Sequence, residues 1–507
     1  MVVKSNKFDP TRNIVGSNLF DFNLKELYTA YYQCRRHKRR TLNAQHYELD
    51  LLNNLYTTLQ ALQQRTYCPK RAIRFVAQKP KAREIHAADF SDRVVHHYLV
   101  PQLEKLFEPI FINDVYSNRL NKGTHKAINR LQAFMHAVGY QGYYLQLDIA
   151  NFFNSIDKPI LFKLIQQRLR KALKQHKISN KQANTLRWLV QVLLRHDAAK
   201  NSIYRGDPKL LQRVPAHKQL GYAGQYKGLP IGNLTSQFFA NVYLNELDQF
   251  IKHKLKCRYY VRYVDDFVLL ASSAEQLMQW REDIIIFLQQ QLQLKLKELA
   301  VAKPIKSGAD FLGYIIYPHY RLVRRRVIGN LRERLNFFQT QLMKGSVQYG
   351  YKVIVNTELL AQLRAVIARY WGHFQHANSQ QLCRAFFVKY PWLALLFDAQ
   401  LQPRYQPNDK QIIGYKSQLN FFHRHYPLAQ LRVQRGIEQD IRRLKSPLQT
   451  LACKGYFNRP YNEPPLWVTR VIIHEQGYLK NALKRRVATL LFIQAGVELC
   501  PIKTNCY

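Results

Sequence analysis

Two adjacent aspartates, Asp265 and Asp266, lie between two apolar, β-prone runs at residues 259–264 and 267–270. This pattern predicts a β-hairpin with the two carboxylates at its turn. Two carboxylates at a tight turn repel each other, so a cation is expected there. Mg²⁺ prefers carboxylate oxygen and also holds substrate phosphates. The alternative is an ordinary Asp-containing turn, and residues elsewhere in the chain decide between the two.

A third carboxylate stands at the end of another predicted strand. Residues 143–149 read YYLQLDI and place Asp148 next to a turn that contains Phe152 and Phe153. If this strand neighbours the hairpin, Asp148 joins Asp265 and Asp266. Asp157 is better placed to cap the helix that follows.

Two stretches are suited to phosphate. Residues 71–90 are predicted to form two strands joined by a turn at Lys79-Pro80, and Lys81 and Arg83 can face one surface where they would hold a triphosphate. A Lys-x-Arg pair on its own is usually solvated surface. Residues 228–237, GLPIGNLTSQ, open a predicted helix, and a helix start offers N–H groups to phosphate or to a template backbone.

Composition bounds the class of protein. The chain has 507 residues and a formal net charge of +44. Such a charge favours a polyanionic partner, with nucleic acid first and an anionic membrane surface second. The seven cysteines are scattered without CxxC spacing, which indicates neither a zinc site nor a disulfide framework. The N-terminus does not read as a signal peptide and no apolar run approaches a membrane span, so a cytoplasmic protein is expected.

Four motifs occur in a specific order: LDIANFFNSID (147–157), GLPIGNLTSQFFANVYL (228–244), YVRYVDDFVLL (260–270) and FLGY (311–314). They resemble motifs A, B and C and the palm–thumb junction of reverse transcriptases, and the resemblance covers roughly residues 70–400. SNRLNKGTHKAI (117–128) and ARYWGHFQHANSQQL (368–382) are similar to prokaryotic members, those of diversity-generating retroelements and of antiphage defence systems (defence-associated reverse transcriptases).

The resemblance implies an α+β, right-hand polymerase fold with fingers, a palm whose antiparallel sheet carries the aspartates, and a helical thumb. The expected divisions are an N-terminal helical region (1–70), fingers and palm (71–320), a thumb (321–400), a linker (401–413) and a small C-terminal extension (414–507).

The resemblance also implies metal ligands. Asp148 and Asp265 would bind two Mg²⁺ ions, Asp266 would be an accessory ligand, and the Ile149 carbonyl would be an extra one. Mn²⁺ is the alternative ion.

Further roles are implied for nucleotide and template. The nucleotide-binding residues would be Lys81, Arg83, Arg119, Phe152 or Phe153, and Gln237. The template- and primer-binding residues would be Gly232, Asn233 and Ser236. A bulky ring at Phe152 or Phe153 would exclude a 2′-hydroxyl and favour dNTPs.

The function implied is that of an RNA-directed DNA polymerase that makes cDNA from an RNA template, expected to be its own structured noncoding RNA. An RNA-binding scaffold with little templated synthesis and an RNA-dependent RNA polymerase are the alternatives. A homo-oligomer and an accessory protein are both left open, and no membrane partner is expected.

The biological role lies between antiphage defence and retroelement diversification. The extension to 507 residues favours defence. Ile231 favours diversification, because an aliphatic residue at this position of motif B accompanies error-prone copying in the diversity-generating relatives.

Overall fold

The structure is a computed structural model that describes residues 22–36, 38–39, 41–78, 81–297, 300–346, 350–390, 392–396 and 470–473. The chain divides into two compact units, residues 1–309 with 317–319, and residues 310–316 with 320–507. The predicted linker and nearly all of the predicted extension lie outside the described residues, as does the turn predicted at Lys79-Pro80.

Both helices and strands build the first unit. Its helices are α1 (Leu24–Arg35), α2 (Leu42–Leu49), α3 (Leu51–Gln63), α4 (Phe90–Phe107), α5 (Thr124–Val138), α6 (Phe152–Ser155), α7 (Lys158–Lys174), α8 (Asn180–Arg195), α9 (Pro208–Gln212), α10 (Leu234–Gln249) and α11 (Ala274–Leu292). Its strands are β1 (Ala72–Ala77), β2 (Arg83–Ala87), β3 (Tyr143–Asp148), β4 (Ser202–Tyr204), β5 (Tyr259–Tyr263), β6 (Asp266–Ala271) and β7 (Lys303–Pro304), and β8 (Ala309–Phe311) begins at its border.

A four-stranded antiparallel sheet in the order β5-β6-β3-β7 carries the three aspartates. The inner residues of β6 are buried without alternation, as expected of a central strand covered on both faces. Helices α5 and α11 pack on this sheet, and α10 packs against α4, α7 and α11. Helices α4, α7, α10 and α11 share one hydrophobic core with β3, β5 and β6, so the sheet edge that bears the aspartates is built on a rigid base.

A smaller sheet, β2-β1-β4, stands beside it. β1 pairs antiparallel with β2 and parallel with β4. Residues 202–204 form β4 because Ala72–Arg74 leaves an open strand edge with which they can pair.

Several helices begin at a side-chain cap, and Asp157 does so as predicted. The Asp89 carboxylate accepts a hydrogen bond from the Ser91 N–H at 3.0 Å, and the Asp157 carboxylate accepts one from the Ile160 N–H at 2.9 Å. Ser273 caps α11 through the Gln276 N–H. Each side chain satisfies an N–H that has no partner within its helix.

The second unit contains further helices and short strands. They are β9 (Tyr314–Ile316), β10 (Arg321–Val323), α12 (Arg325–Leu342), β11 (Met343–Ser346), β12 (Gly350–Val355), α13 (Thr357–Phe374), α14 (Gln380–Lys389), α15 (Leu393–Leu396) and β13 (Arg470–Ile473). Tyr314 of the FLGY motif stacks on His373 with ring centroids 4.1 Å apart. None of the helices in the described part of the chain has both the length and the apolar character to cross a membrane.

Candidate active site

The aspartates meet at one edge of the palm sheet. β3 ends at Asp148, β6 begins at Asp266, and the two residues are directly opposite each other in the antiparallel register. Asp265 lies in the turn between β5 and β6. The predicted hairpin, and the prediction that the Asp148 strand neighbours it, are therefore confirmed.

The turn has an uncommon backbone conformation. Val264, immediately before Asp265, has a φ of +59°. A side chain branched at Cβ is disfavoured in this left-handed region by about 1–2 kcal/mol. The surrounding contacts must offset that cost, and the conformation sets the direction in which Asp265 leaves the turn.

The carboxylates perturb one another electrostatically. Burial and, after it, the nearby charge of Asp148 raise the pKa of Asp265 to about 6, while the positive charges of Arg83 and Arg262 oppose the rise. Two carboxylates that destabilise each other's ionised forms in this way are a suitable environment for a cation.

The donor set fits magnesium only when other ligands complete it. Within the described residues, no group of three or more His, Cys, Asp or Glu side chains is arranged so that it could by itself hold a metal ion. Mg²⁺ is commonly held by one or two carboxylates together with water and substrate phosphate oxygens. Asp148 and Asp265 supply hard oxygen ligands of this kind, so the residues fit a site that substrate completes.

Two neighbours of the aspartates carry no signal in the sequence motifs. The Gln146 Nε2 donates a hydrogen bond to Asp266 Oδ1 at 3.0 Å. Lys297 Nζ lies 3.8 Å from Asp148 Oδ2. Lys297 is held there because residues 295–297 run alongside the end of β3, where the Ala150 N–H donates to the Lys295 carbonyl and the Lys297 N–H donates to the Asp148 carbonyl. The alternating LKLK pattern at residues 294–297 could have indicated an extended segment, but it could not have indicated that this segment lies beside the end of β3.

Arg83, one of the two predicted triphosphate cations, lies near the aspartates. Arg83 is exposed at the start of β2, and its charge reaches Asp265. Lys81 is also exposed. Glu84 points to the opposite side, where it is buried and lies 2.6 Å from Arg74 Nε. The alternation therefore leaves both predicted cations accessible to an anion.

The glycine turn before α10 is pressed against β2. Gly232 has a φ of +114°, and a Cβ there would lie 2.8 Å from Ile85 Cγ2. The His86 N–H donates to the Ile231 carbonyl at 3.0 Å. Glycine is required at this position because both the backbone conformation and the close approach exclude a side chain.

The polar residues of this turn differ in accessibility. Asn233 and Ser236 are 5% and 2% exposed, and Asn233 Oδ1 accepts a hydrogen bond from the Ala88 N–H at 3.0 Å. The Asn233 side chain holds the turn in place, and the burial of both side chains does not fit the prediction that they bind template or primer. Gln237 is exposed on the first turn of α10 and keeps its predicted role as a proposal.

The two phenylalanines also differ. Phe152 is 2% exposed and belongs to the core, so it does not fit the predicted contact with a sugar. Phe153 is half-buried, and its carbonyl accepts a hydrogen bond from the Leu229 N–H at 2.8 Å. Phe153 is therefore the ring of the pair that a nucleotide can reach.

Arg119 is used by the fold itself. Its guanidinium contacts Glu108 Oε2 through Nη2 at 2.8 Å and donates to the carbonyls of Ile112 and Val115 at 2.7 and 3.1 Å. The side chain is 7% exposed. The prediction that Arg119 contacts the nucleotide does not fit this arrangement, because its donors are already committed to protein acceptors.

Comparisons with known proteins agree with this geometry. The family model described as reverse transcriptase (RNA-dependent DNA polymerase) matches residues 69–316, a range that contains all three aspartates. The group II intron-encoded protein LtrA of Lactococcus lactis subsp. cremoris is 24% identical over 324 residues, which are 51% of this chain and 49% of LtrA. Protein YkfC of Escherichia coli (strain K12) is 23% identical over 313 residues, which are 55% of this chain and 70% of YkfC. The chain thus spans about half the length of LtrA.

Two solved structures show a distant likeness. The telomerase of Candida albicans in complex with a TWJ fragment of telomeric RNA has a TM-score of 0.35 and 10% identity, and the match covers 77% of this chain and 65% of the telomerase. The apo telomerase of Candida tropicalis has a TM-score of 0.35 and 11% identity, over 50% of this chain and 55% of that chain.

Proposed function

We propose that residues 69–316, which form a reverse transcriptase domain of the prokaryotic type, copy RNA into DNA. The observation that carries this proposal is the pairing of Asp148 with Asp266 in the sheet register, next to Asp265 in the turn. The raised pKa of Asp265 supports it, since a bound cation would favour the ionised form of this carboxyl.

The reaction is an in-line attack of a primer hydroxyl on the α-phosphate of a dNTP, which releases pyrophosphate. Two Mg²⁺ ions, when bound, stabilise the attacking and leaving oxygens. Asp148 and Asp265 would hold them with the Ile149 carbonyl, and Asp266 would be an accessory ligand. Lys81 and Arg83 bind the triphosphate and neutralise the charge that develops on it.

Selection of the sugar is assigned to Phe153. Its ring is half-buried and follows Asp148 by five residues, which supports a contact with the sugar of a nucleotide bound at the aspartates. A ring in contact with C2′ leaves no room for a hydroxyl. The expected substrates are therefore dNTPs.

Primer extension tests the activity. Purified protein is given an RNA template, a DNA primer, Mg²⁺ and either dNTPs or rNTPs, with Asp265→Asn as the inactive control. We expect Mg²⁺-dependent incorporation of dNTPs by the wild type and at least a 100-fold loss in Asp265→Asn, in line with the weight of charge stabilisation in such sites. Absence of incorporation by the wild type would support the RNA-binding scaffold, and a preference for rNTPs would support an RNA polymerase.

The template and the biological role form a further part of the proposal. We propose a dedicated structured RNA as template, supported by the net charge of +44, and a role in antiphage defence. Plaque assays on cells that carry the wild type or Asp265→Asn measure defence, and sequencing of co-purifying RNA and DNA identifies template and product. Equal plaquing, together with cDNA that carries scattered substitutions, would point to diversification instead.

A further inference from the structure

Val264 combines two properties that conflict. Its side chain is branched at Cβ, yet its backbone is left-handed, with a φ of +59°. Residues of this type occupy that region only when their surroundings hold them there. Its neighbour Asp265 is the turn carboxylate of the candidate site, so whatever holds Val264 also aims Asp265.

Both backbone polar groups of Val264 are bound by side chains. The Val264 N–H donates to Ser117 Oγ at 2.9 Å. The Val264 carbonyl accepts a hydrogen bond from Arg262 Nη1 at 2.9 Å. The peptide groups on either side of the residue are therefore fixed, and rotation back to a right-handed conformation would break both bonds.

Arg262 is itself held by a buried carboxylate. Its side chain and that of Asp248 are both 0% exposed, with Nε donating to Oδ1 at 2.7 Å and Nη2 to Oδ2 at 2.5 Å. The Tyr260 hydroxyl donates to the same Oδ1 at 2.7 Å. A buried ion pair is sustained only when its remaining groups are hydrogen-bonded, and here the third Arg262 nitrogen satisfies that condition by binding the Val264 carbonyl.

Ser117 is anchored to the same helix as Asp248. The Asn241 Nδ2 donates to the Ser117 carbonyl at 2.8 Å, and Asn241 Oδ1 lies 3.4 Å from Ser117 Oγ and 3.3 Å from Arg262 Nη1. Asn241 and Asp248 both belong to α10. The helix that begins at the GLPIGN turn therefore braces both sides of the catalytic turn.

We infer that Ser117, Asn241, Asp248 and Arg262 form a clamp of positioning residues that holds Val264 left-handed and thereby sets Asp265 to bind a divalent cation. The inference rests on the proposed function, because it assigns these residues to the cation site of the polymerase. The clamp residues are at most 1% exposed and act through the backbone of Val264.

Ser117→Ala is the most informative variant, since it removes one acceptor without leaving a buried charge. Ser117→Thr keeps the hydroxyl. Ser91→Ala is the matched control, because Ser91 is buried like Ser117. Its hydroxyl donates a hydrogen bond to Asp89 Oδ1 at 2.6 Å and not to the turn that holds Val264. Asp265→Asn defines the level of Mn²⁺ binding that does not involve the site.

The experiment measures Mn²⁺ binding by electron paramagnetic resonance, and in parallel kcat, the KM for dNTP and the unfolding free energy. We expect Ser117→Ala to bind Mn²⁺ about three-fold to ten-fold more weakly, the equivalent of one hydrogen bond. Its kcat should fall by a similar factor at fixed Mn²⁺ while the KM for dNTP is unchanged. Ser117→Thr should restore both values, and Ser91→Ala should lose stability alone.

The outcomes separate this inference from the proposed function. The inference is overturned if Ser117→Ala binds Mn²⁺ as tightly as the wild type does. It is also overturned if the wild type binds Mn²⁺ no more tightly than Asp265→Asn does. Weakened Mn²⁺ binding in Ser117→Ala, in a protein that incorporates no nucleotide at all, supports the clamp and refutes the polymerase.

Discussion

Replacing Asp265 with asparagine should make the metal-free protein more stable. In the folded state, burial and the charge of Asp148 raise the pKa of Asp265 from 3.8 to about 6. A carboxyl whose pKa is raised by folding lowers the stability progressively as the pH rises from the unfolded value through the folded one. At 1.36 kcal/mol per pKa unit the full cost is about 3 kcal/mol above pH 6. Asparagine keeps the shape and carries no charge, so Asp265→Asn avoids this cost.

Chemical denaturation in the presence of a chelator measures the difference. We expect Asp265→Asn to exceed the wild type by up to about 3 kcal/mol at pH 8 and by about 1.5 kcal/mol at pH 5. Asp283→Asn is the matched control, because Asp283 lies on α11 and accepts a hydrogen bond from Gln279 at 3.4 Å, away from the sheet edge. Added Mg²⁺ with a dNTP should stabilise the wild type and leave Asp265→Asn unchanged.

Two outcomes would contradict this prediction: Asp265→Asn is no more stable than the wild type at pH 8, or its gain in stability does not depend on pH. Either result would mean that the ionised Asp265 is already compensated within the protein. The charges of Arg83 and Arg262, which oppose the rise in pKa, would then outweigh desolvation.

Two further predictions follow from the site. Phe153→Ala should reduce the preference for dNTP over rNTP, measured as the ratio of kcat/KM values, by at least about ten-fold, because an enlarged pocket admits the 2′-hydroxyl. The control Phe152→Ala should instead lower the unfolding free energy by about 3–5 kcal/mol. An unchanged preference in Phe153→Ala would exclude the role assigned to Phe153. Arg119→Ala should lower the unfolding free energy by about 2 kcal/mol, since Glu108 and two carbonyls lose their donors. Its KM for dNTP should equal that of the wild type, whereas the KM for dNTP should rise in Arg83→Ala. A raised KM for dNTP in Arg119→Ala would support the predicted contact of Arg119 with the nucleotide.

Local patterns were sufficient to predict much of the palm. The alternation and the apolar runs around Asp265 indicated the hairpin, and the strand ending at Asp148 was visible for the same reason. The cap Asp157 could be recognised because a helix start is decided within a few residues of sequence.

The accessibility of individual side chains could not be predicted. Asn233 occurs in a polar, glycine-containing stretch that suggests exposure, but the N–H of Ala88, 145 positions earlier in the chain, uses its side-chain oxygen. Arg119 looks like a free cation until Glu108 and two carbonyls close around it. In both cases the deciding contact comes from another element, and a single sequence does not contain the distance between elements.

The distribution of charge explains why the site is assembled from separate sheets. Carboxylates on one sheet edge repel the phosphates of a nucleic acid, so divalent cations would have to outweigh them before the proposed nucleic acid and triphosphate could bind. Arg83 and Lys81 project from the β2 hairpin rather than from the palm strands, which leaves them available for phosphate instead of tying them to the aspartates. Lys297 lies on the palm, but its contact with Asp148 is 3.8 Å long and about half exposed. Such a pair is weak in water, so an incoming cation can displace the lysine, which would then face the incoming phosphates.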